Sequence, residues 1–241
     1  MSRPSSQARC VASWLAGVSM LLSVCAAAAS LEVNPVRLTL SAAQPVAAIT
    51  VRNAGTQAAI LHLQLMAWSQ SGATDHYAST RELLVTPPIF TLQAGATQTV
   101  RVGLRRAVDS ERELAYRLYL QEIPDAKQVD GAGLRIALRI GVPVFVPPTS
   151  VASPLLRWRA HRDADAIVLH AQNTGGLHAR ILSLKFSSDS VTLTEAPAAY
   201  VLAGQSWQWR IPVSQMPPLG TPLRVSAKTT SGEVLADVML E

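Results

Sequence analysis

The sequence predicts an all-β protein built as two sandwich domains in tandem, and three observations predict it. From Leu31 onward, short apolar runs are broken by Gly, Pro, Asn, Ser and Thr, and almost no long stretch keeps helical spacing. The runs fall into two successive sets. A proline-bearing segment, Val146-Pro147-Pro148-Thr149-Ser150-Val151-Ala152-Ser153-Pro154, lies between the sets.

Residues 1–29 read as an export signal. Arg3 and Arg9 precede an apolar run from Val11 to Val24, and Ala26 to Ala29 supply a small-residue cleavage site. Ser13, Gly17, Ser19 and Ser23 dilute the run, which is shorter than the roughly 20 strongly apolar residues of a membrane span. No membrane insertion is therefore expected after signal removal. Both cysteines, Cys10 and Cys25, lie inside this segment. The mature chain then has no thiol to form a disulfide, act as a nucleophile or bind a metal.

The first set of strands is expected at Glu32–Ser41, Ala47–Asn53, Ala59–Ser69, Leu83–Leu92, Thr97–Leu104, Leu114–Glu122 and Leu134–Val146. Turn chemistry separates them: Asn53-Ala54-Gly55, Ser71-Gly72, Gln93-Ala94-Gly95 and Asp130-Gly131. Pro87 and Pro88 cannot donate to a ladder, so their strand is broken or lies at an edge. Seven such strands fit one immunoglobulin-like sandwich, here residues 30–147, with 148–154 as linker. The second set is Leu155–Ala160, Ala166–Gln172, His178–Ser187, Val191–Thr194, Ser206–Val213, Leu223–Thr229 and Val234–Leu240. It forms a second, smaller sandwich over residues 155–241, in which Asn173-Thr174-Gly175-Gly176 echoes Asn53-Ala54-Gly55.

Charge excludes one function class. The 21 basic and 16 acidic residues fall to 19 and 16 once Arg3 and Arg9 are set aside. Nucleic-acid binding calls for a clustered basic face with interleaved aromatics, whereas these arginines are scattered among apolar residues. Catalysis is disfavoured as well. His62, His76, His161, His170 and His178 have no spaced carboxylate or second ligand, and no nucleophile elbow, Walker loop or dinucleotide fingerprint occurs. No cofactor or metal is expected. His170 and His178 flank a turn and read as surface imidazoles.

Several motifs, in order, carry a resemblance: Asn34-Pro35-Val36-Arg37, Val51-Arg52-Asn53-Ala54-Gly55, Pro87-Pro88, Leu92-Gln93-Ala94-Gly95 with Val100-Arg101-Val102, Tyr116 to Pro124, and Leu134-Arg135-Ile136-Ala137-Leu138 leading to Val144-Phe145. Together they are similar to the periplasmic chaperones of the chaperone-usher pilus pathway. The Asn-Pro start, Pro143 and the short loop 125–133 are closer to the archaic, spore-coat-U-associated branch. The resemblance implies two immunoglobulin-like domains in a boomerang arrangement, located in the periplasm. It implies pilin subunits and an outer-membrane usher as partners.

Leu134, Ile136, Leu138, Ile140, Val142 and Val144 alternate onto one face of a strand, with Arg135, Ala137, Arg139, Gly141 and Pro143 on the other. By periodicity alone, the apolar face fills the protein's own core or enters something else. The resemblance implies donation: Leu134, Ile136, Leu138 and Ile140 fill successive pockets in a subunit that lacks a strand. Each buried side chain is worth roughly 1.5–3 kcal/mol before ordering costs.

The resemblance also implies a basic pair that holds the subunit's terminal carboxylate. Arg37 matches its first member, but Pro143 stands where a lysine is usual, leaving Arg101 and Arg117 as substitutes. A free chaperone with exposed apolar teeth would cap itself by forming a homodimer. The alternative reading is a secreted two-domain binding module, an adhesin or carbohydrate-binding protein. Trp207 and Trp209, on one side of a strand, are its single suggestive pair, and a core role suits them better.

Overall fold

The computed structural model describes residues 30–124, 137–188 and 194–241. The expected signal segment, Leu134 and Ile136 lie outside them. Among the described residues there are eighteen strands and no helix. In the first half these are β1 (Leu31–Asn34), β2 (Leu38–Thr39), β3 (Val46–Asn53), β4 (Ala59–Ser71), β5 (Thr74–Ser79), β6 (Leu83–Thr86), β7 (Ile89–Leu92), β8 (Thr97–Leu104), β9 (Leu114–Ile123) and β10 (Arg139–Val146). In the second they are β11 (Leu156–Asp163), β12 (Ala166–Asn173), β13 (Ala179–Ser187), β14 (Thr194–Ala196), β15 (Ala199–Val201), β16 (Ser206–Pro212), β17 (Pro222–Thr229) and β18 (Gly232–Met239).

The fold is two immunoglobulin-like sandwiches in tandem. In the first, a β1-β3-β8-β6 sheet faces a β2-β10-β9-β4-β5 sheet, with β7 also on β4. Alternate residues such as Ile49 and Val51 of β3, Leu61 and Leu63 of β4, and Leu118 and Leu120 of β9 meet in its core. In the second, β11-β12-β16 faces β14-β13-β17-β18, with β15 on β13. Its separate core includes Ile167, Leu169, Phe186, Trp209 and Val225.

Prolines divide two of the expected strands between sheets. The run Glu32–Ser41 breaks at Pro35: β1 pairs with β3, whereas β2 joins the opposite sheet beside β10. Pro87-Pro88 likewise separate β6, which pairs with β8, from β7, which pairs with β4. A residue without an N–H cannot continue a ladder, so the chain crosses to the other sheet there. Two strands have no counterpart in the sequence reading. β5 is polar and short, and it forms as the return arm of a hairpin whose turn holds Gly72 at φ +60°. β15 pairs with three residues of β13. Of the expected run Val191–Thr194, residues 191–193 lie outside the described part, and β14 begins at Thr194.

The echo between the two asparagine turns is structural. Asn53 and Asn173 are 1% and 0% exposed. Asn53 Nδ2 donates to the Gln57 and Leu92 carbonyls at 2.7 and 3.0 Å, and its Oδ1 accepts from Gly55 N at 3.0 Å. Asn173 Nδ2 donates to the Leu177 and Val201 carbonyls at 2.7 and 3.0 Å, and its Oδ1 accepts from Gly175 N at 3.0 Å. In each domain one buried amide ties a turn to a neighbouring segment of its own sandwich, which is why an asparagine is required at both places.

Polar bonds and close glycine contacts join the domains. Gln70 Nε2 donates to the Tyr200 carbonyl at 3.0 Å, and its Oε1 accepts from Leu202 N at 2.9 Å. The Gln70 N–H also donates to Gln205 Oε1. Gln208 N reaches the Gly72 carbonyl at 3.0 Å, and Glu113 N the Gly176 carbonyl at 2.8 Å. A Cβ on Gly175 would lie 2.2 Å from the Ser153 carbonyl oxygen, and one on Gly176 would lie 2.6 Å from that of Glu111.

Two outcomes follow from these contacts. Asn53→Ala and Asn173→Ala each strand buried backbone groups and should cost about 2–4 kcal/mol of stability in urea denaturation. Gly176→Ala, whose added Cβ would meet the Glu111 carbonyl of the first domain, should destabilise by about 1–3 kcal/mol, the usual cost of overpacking. Its effect should be felt at the joint, so calorimetry should show two separate transitions where the parent shows one.

Candidate functional site

β10 is paired unequally on its two sides. On one side, all eight of its residues, Arg139 to Val146, have partners on β9, from Arg139 opposite Gln121 to Val146 opposite Leu114. On the other, β2 partners only Val144 and Phe145. Among the described residues, the stretch Arg139–Pro143 therefore has an open edge, with backbone groups available to a further strand.

The inward side chains of β10 pass from core to rim along its length. Val142 and Val144 are buried in the first core, and Ile140 packs against it part-buried. Leu138 is also part-buried, with its N–H 3.3 Å from Glu122 Oε2 and its carbonyl accepting from Glu122 N at 2.9 Å. The apolar face thus leaves the domain's own core at Ile140 and Leu138, just where the sequence alternation continues toward Ile136 and Leu134.

The outer face of β9 and β10 carries a run of cations and aromatic rings. The Arg139 guanidinium lies 4.0 Å from the centre of the Tyr119 ring. Tyr119 meets Tyr77 edge-on at 5.6 Å. Arg117 donates to the Tyr77 hydroxyl at 3.2 Å and lies 4.3 Å from the centre of the Trp68 ring. Burial pushes the Tyr77 phenol up to about 12, against the opposing pull of the Arg117 hydrogen bond. Gly141 keeps this face open, because a Cβ there would sit 3.2 Å from Tyr119 and 3.3 Å from Arg117.

Toward the second domain the run becomes the joint. Trp68, Phe145 and Leu202 form a buried cluster. The His178 ring stacks on Phe145 at 3.8 Å, and its Nδ1 lies 2.5 Å from Glu113 Oε2. The surface-imidazole expectation is therefore corrected for His178, whose side chain is only 13% exposed. His170 is on β12, opposite Arg159 and Gln208. No spacing in the sequence links His178 to Glu113, because the contact crosses between domains.

The three candidate arginines separate. Arg117 is the direct partner of Pro143 on β9. Arg37 is exposed in the bend before β2, one residue ahead of the Leu38–Val144 pair and so level with Pro143 from the other side. Arg101 is exposed on β8 of the opposite sheet, between Ala48 and Thr86, and does not join them. Neither Arg101 nor Arg117 pairs with Glu122. Trp207 and Trp209 both pack into the second core, where Trp209 stacks on Trp158 at 5.9 Å, so the pair offers no exposed sugar platform.

Comparison with known proteins agrees with this architecture. The family model described as "Pili and flagellar-assembly chaperone, PapD N-terminal domain" matches residues 30–152, just over half of the chain. No curated protein matches in sequence. Among solved structures, the chain is similar to one in the CsuC-CsuE chaperone-tip adhesion subunit pre-assembly complex from archaic chaperone-usher Csu pili of Acinetobacter baumannii. That match has 21% identity and a TM-score of 0.70, covering 88% of this chain and 100% of the other. The YadV chaperone gives 14% identity and a TM-score of 0.64, covering 87% and 99%. The SafA pilin–SafB chaperone complex of Salmonella enterica gives 17% and 0.60, covering 88% and 95%. At these identities the structural likeness establishes the fold, which is that of non-enzymatic pilus chaperones. With its first domain matched by the family model and both domains in the shared fold, the chain belongs to the pili and flagellar-assembly chaperone family.

Proposed function

We propose that this chain is a periplasmic chaperone of the archaic branch that binds pilin subunits by donor-strand complementation and delivers them to an outer-membrane usher. The observation that carries the reading is the open edge of β10 at the point where its apolar face leaves the domain core. A subunit that lacks a strand would gain main-chain hydrogen bonds from this edge, and pockets in it would take Leu138 and Ile140. The sequence alternation extends the same face to Ile136 and Leu134. Complexes of CsuC with a tip subunit and of SafB with a pilin, in the same fold, support the choice of partner.

Arg37 and Arg117 flank Pro143 and are the pair suited to hold the subunit's terminal carboxylate. Arg101, on the far sheet, would serve only if the subunit reached across the domain. Residues 1–29 direct export, residues 30–147 and 155–241 are the two domains, and 148–154 link them. Before a subunit arrives, a homodimer across the β10 edges would cap the exposed strand.

The test is co-purification of the tagged mature chain with the small secreted proteins encoded beside it, comparing wild type with Leu138→Arg. Wild type should recover a subunit that Leu138→Arg, still folded by circular dichroism, loses by at least tenfold. Equal recovery by both, or none by either, would contradict strand donation.

A further inference from the structure

Arg117 carries a charge that the protein itself leaves without an anion. It is part-buried on the outer face of β9, beside the joint, and no carboxylate of the described residues forms an ion pair with it. Other arginines with neutral cross-strand partners, such as Arg101, are exposed and hydrated. Arg117 instead has its guanidinium carbon 4.3 Å from the centre of the Trp68 ring and 5.8 Å from that of Tyr77. Shielding a cation from water without giving it an anion costs free energy, which an arriving anion would recover. Asp75, on the same strand as Tyr77, is committed elsewhere, because its Oδ1 accepts from Trp68 Nε1 and Gln70 Nε2, both at 2.8 Å.

The Tyr77 hydroxyl completes the arrangement. Its oxygen accepts from Arg117 at 3.2 Å, which turns its own proton away from the guanidinium. No acceptor among the described residues takes that proton. Burial pushes the phenol up to about 12, so the hydroxyl remains a donor at neutral pH. Both rings beside Arg117 are held in turn: Trp68 is met edge-on at 5.2 Å by Tyr200 of the second domain, and Tyr77 edge-on at 5.6 Å by Tyr119. An N–H donor and an O–H donor thus stand side by side, and a carboxylate, with two oxygens and about four acceptor sites, can take both.

We infer that Tyr77 is a further binding residue for the subunit's terminal carboxylate, donating its hydroxyl proton to the same group that Arg117 holds. The inference rests on the reading of Arg117 as an anchor and deepens it by adding a residue from β5, an element with no counterpart in the sequence reading. Two donors aimed at one place require a group that only accepts. A free chain end meets that requirement, and a chain that continues past this point does not.

The test co-expresses the tagged mature chain with the secreted subunit encoded beside it, in its native form and in a form whose C-terminus is extended by a pair of glycines. Recovered subunit is compared for wild type, Tyr77→Phe, Arg117→Gln and the double variant. Tyr77→Phe keeps the ring and its packing and removes only the hydroxyl, so its thermal unfolding should match wild type. It should recover about tenfold less native subunit, as expected for the loss of one hydrogen bond to a charged group. Wild type and Tyr77→Phe should recover the extended subunit equally, and Tyr77→Phe should add little to the loss already caused by Arg117→Gln. If Tyr77→Phe matches wild type on the native subunit while Arg117→Gln loses it, this inference is overturned and the anchor stands. If Tyr77→Phe lowers both forms of the subunit alike, its role is structural and the inference is again overturned. If Arg117→Gln recovers both forms as wild type does, or wild type recovers neither, the anchor reading fails and this inference fails with it.

Discussion

The shortness of β2 is the constraint on which the rest depends. Pro35 ends the pairing of β1 with β3, and the chain crosses to the other sheet, where only Leu38 and Thr39 reach β10. Had the first strand stayed in one sheet along β10, the backbone of Arg139 to Pro143 would be covered. The crossover leaves those residues with one neighbour while the core still grips Val142 and Val144 behind them. A strand anchored at one end and open at the other can offer an edge without unfolding to do so.

The outer face and the joint connect that edge to the second domain through side-chain contacts. From Arg139 the contacts pass through Tyr119, Tyr77, Arg117 and Trp68 to Phe145, Tyr200 and His178 of the joint. Gln70 fixes the second domain with bonds to the backbone of Tyr200 and Leu202. Each contact is modest, but an aromatic and amide joint of this kind resists hinge motion better than a linker alone. A partner seated on β10 would therefore meet two domains in a set relation.

Much of the fold was legible from local chemistry. Alternation located most strands, Pro87-Pro88 marked a true break, and the asparagine echo proved to be the same buried hydrogen-bond pattern in both domains. What escaped was nonlocal. β5 is polar and owes its existence to the Gly72 hairpin, and Pro35, expected to lie inside the one strand Glu32–Ser41, divides it in two. His178 acquires its surroundings only when Glu113 and Phe145 arrive from the other domain. At the site, the sequence showed the alternating face of β10 and three arginines. Only sheet topology could show that Arg37 and Arg117 flank Pro143 while Arg101 lies on the opposite sheet.

The most direct measurement is amide hydrogen exchange across β10 in the free chain and in its complex with a co-purified subunit. The open-edge account predicts that amides of Arg139 to Val142 pointing away from β9 exchange quickly in the free chain and at least a hundredfold more slowly in the complex. Amides already bonded to β9 should change far less. If a stable complex forms and the open-edge amides exchange at the same rate as before, the partner does not add a strand at β10 and the account is contradicted.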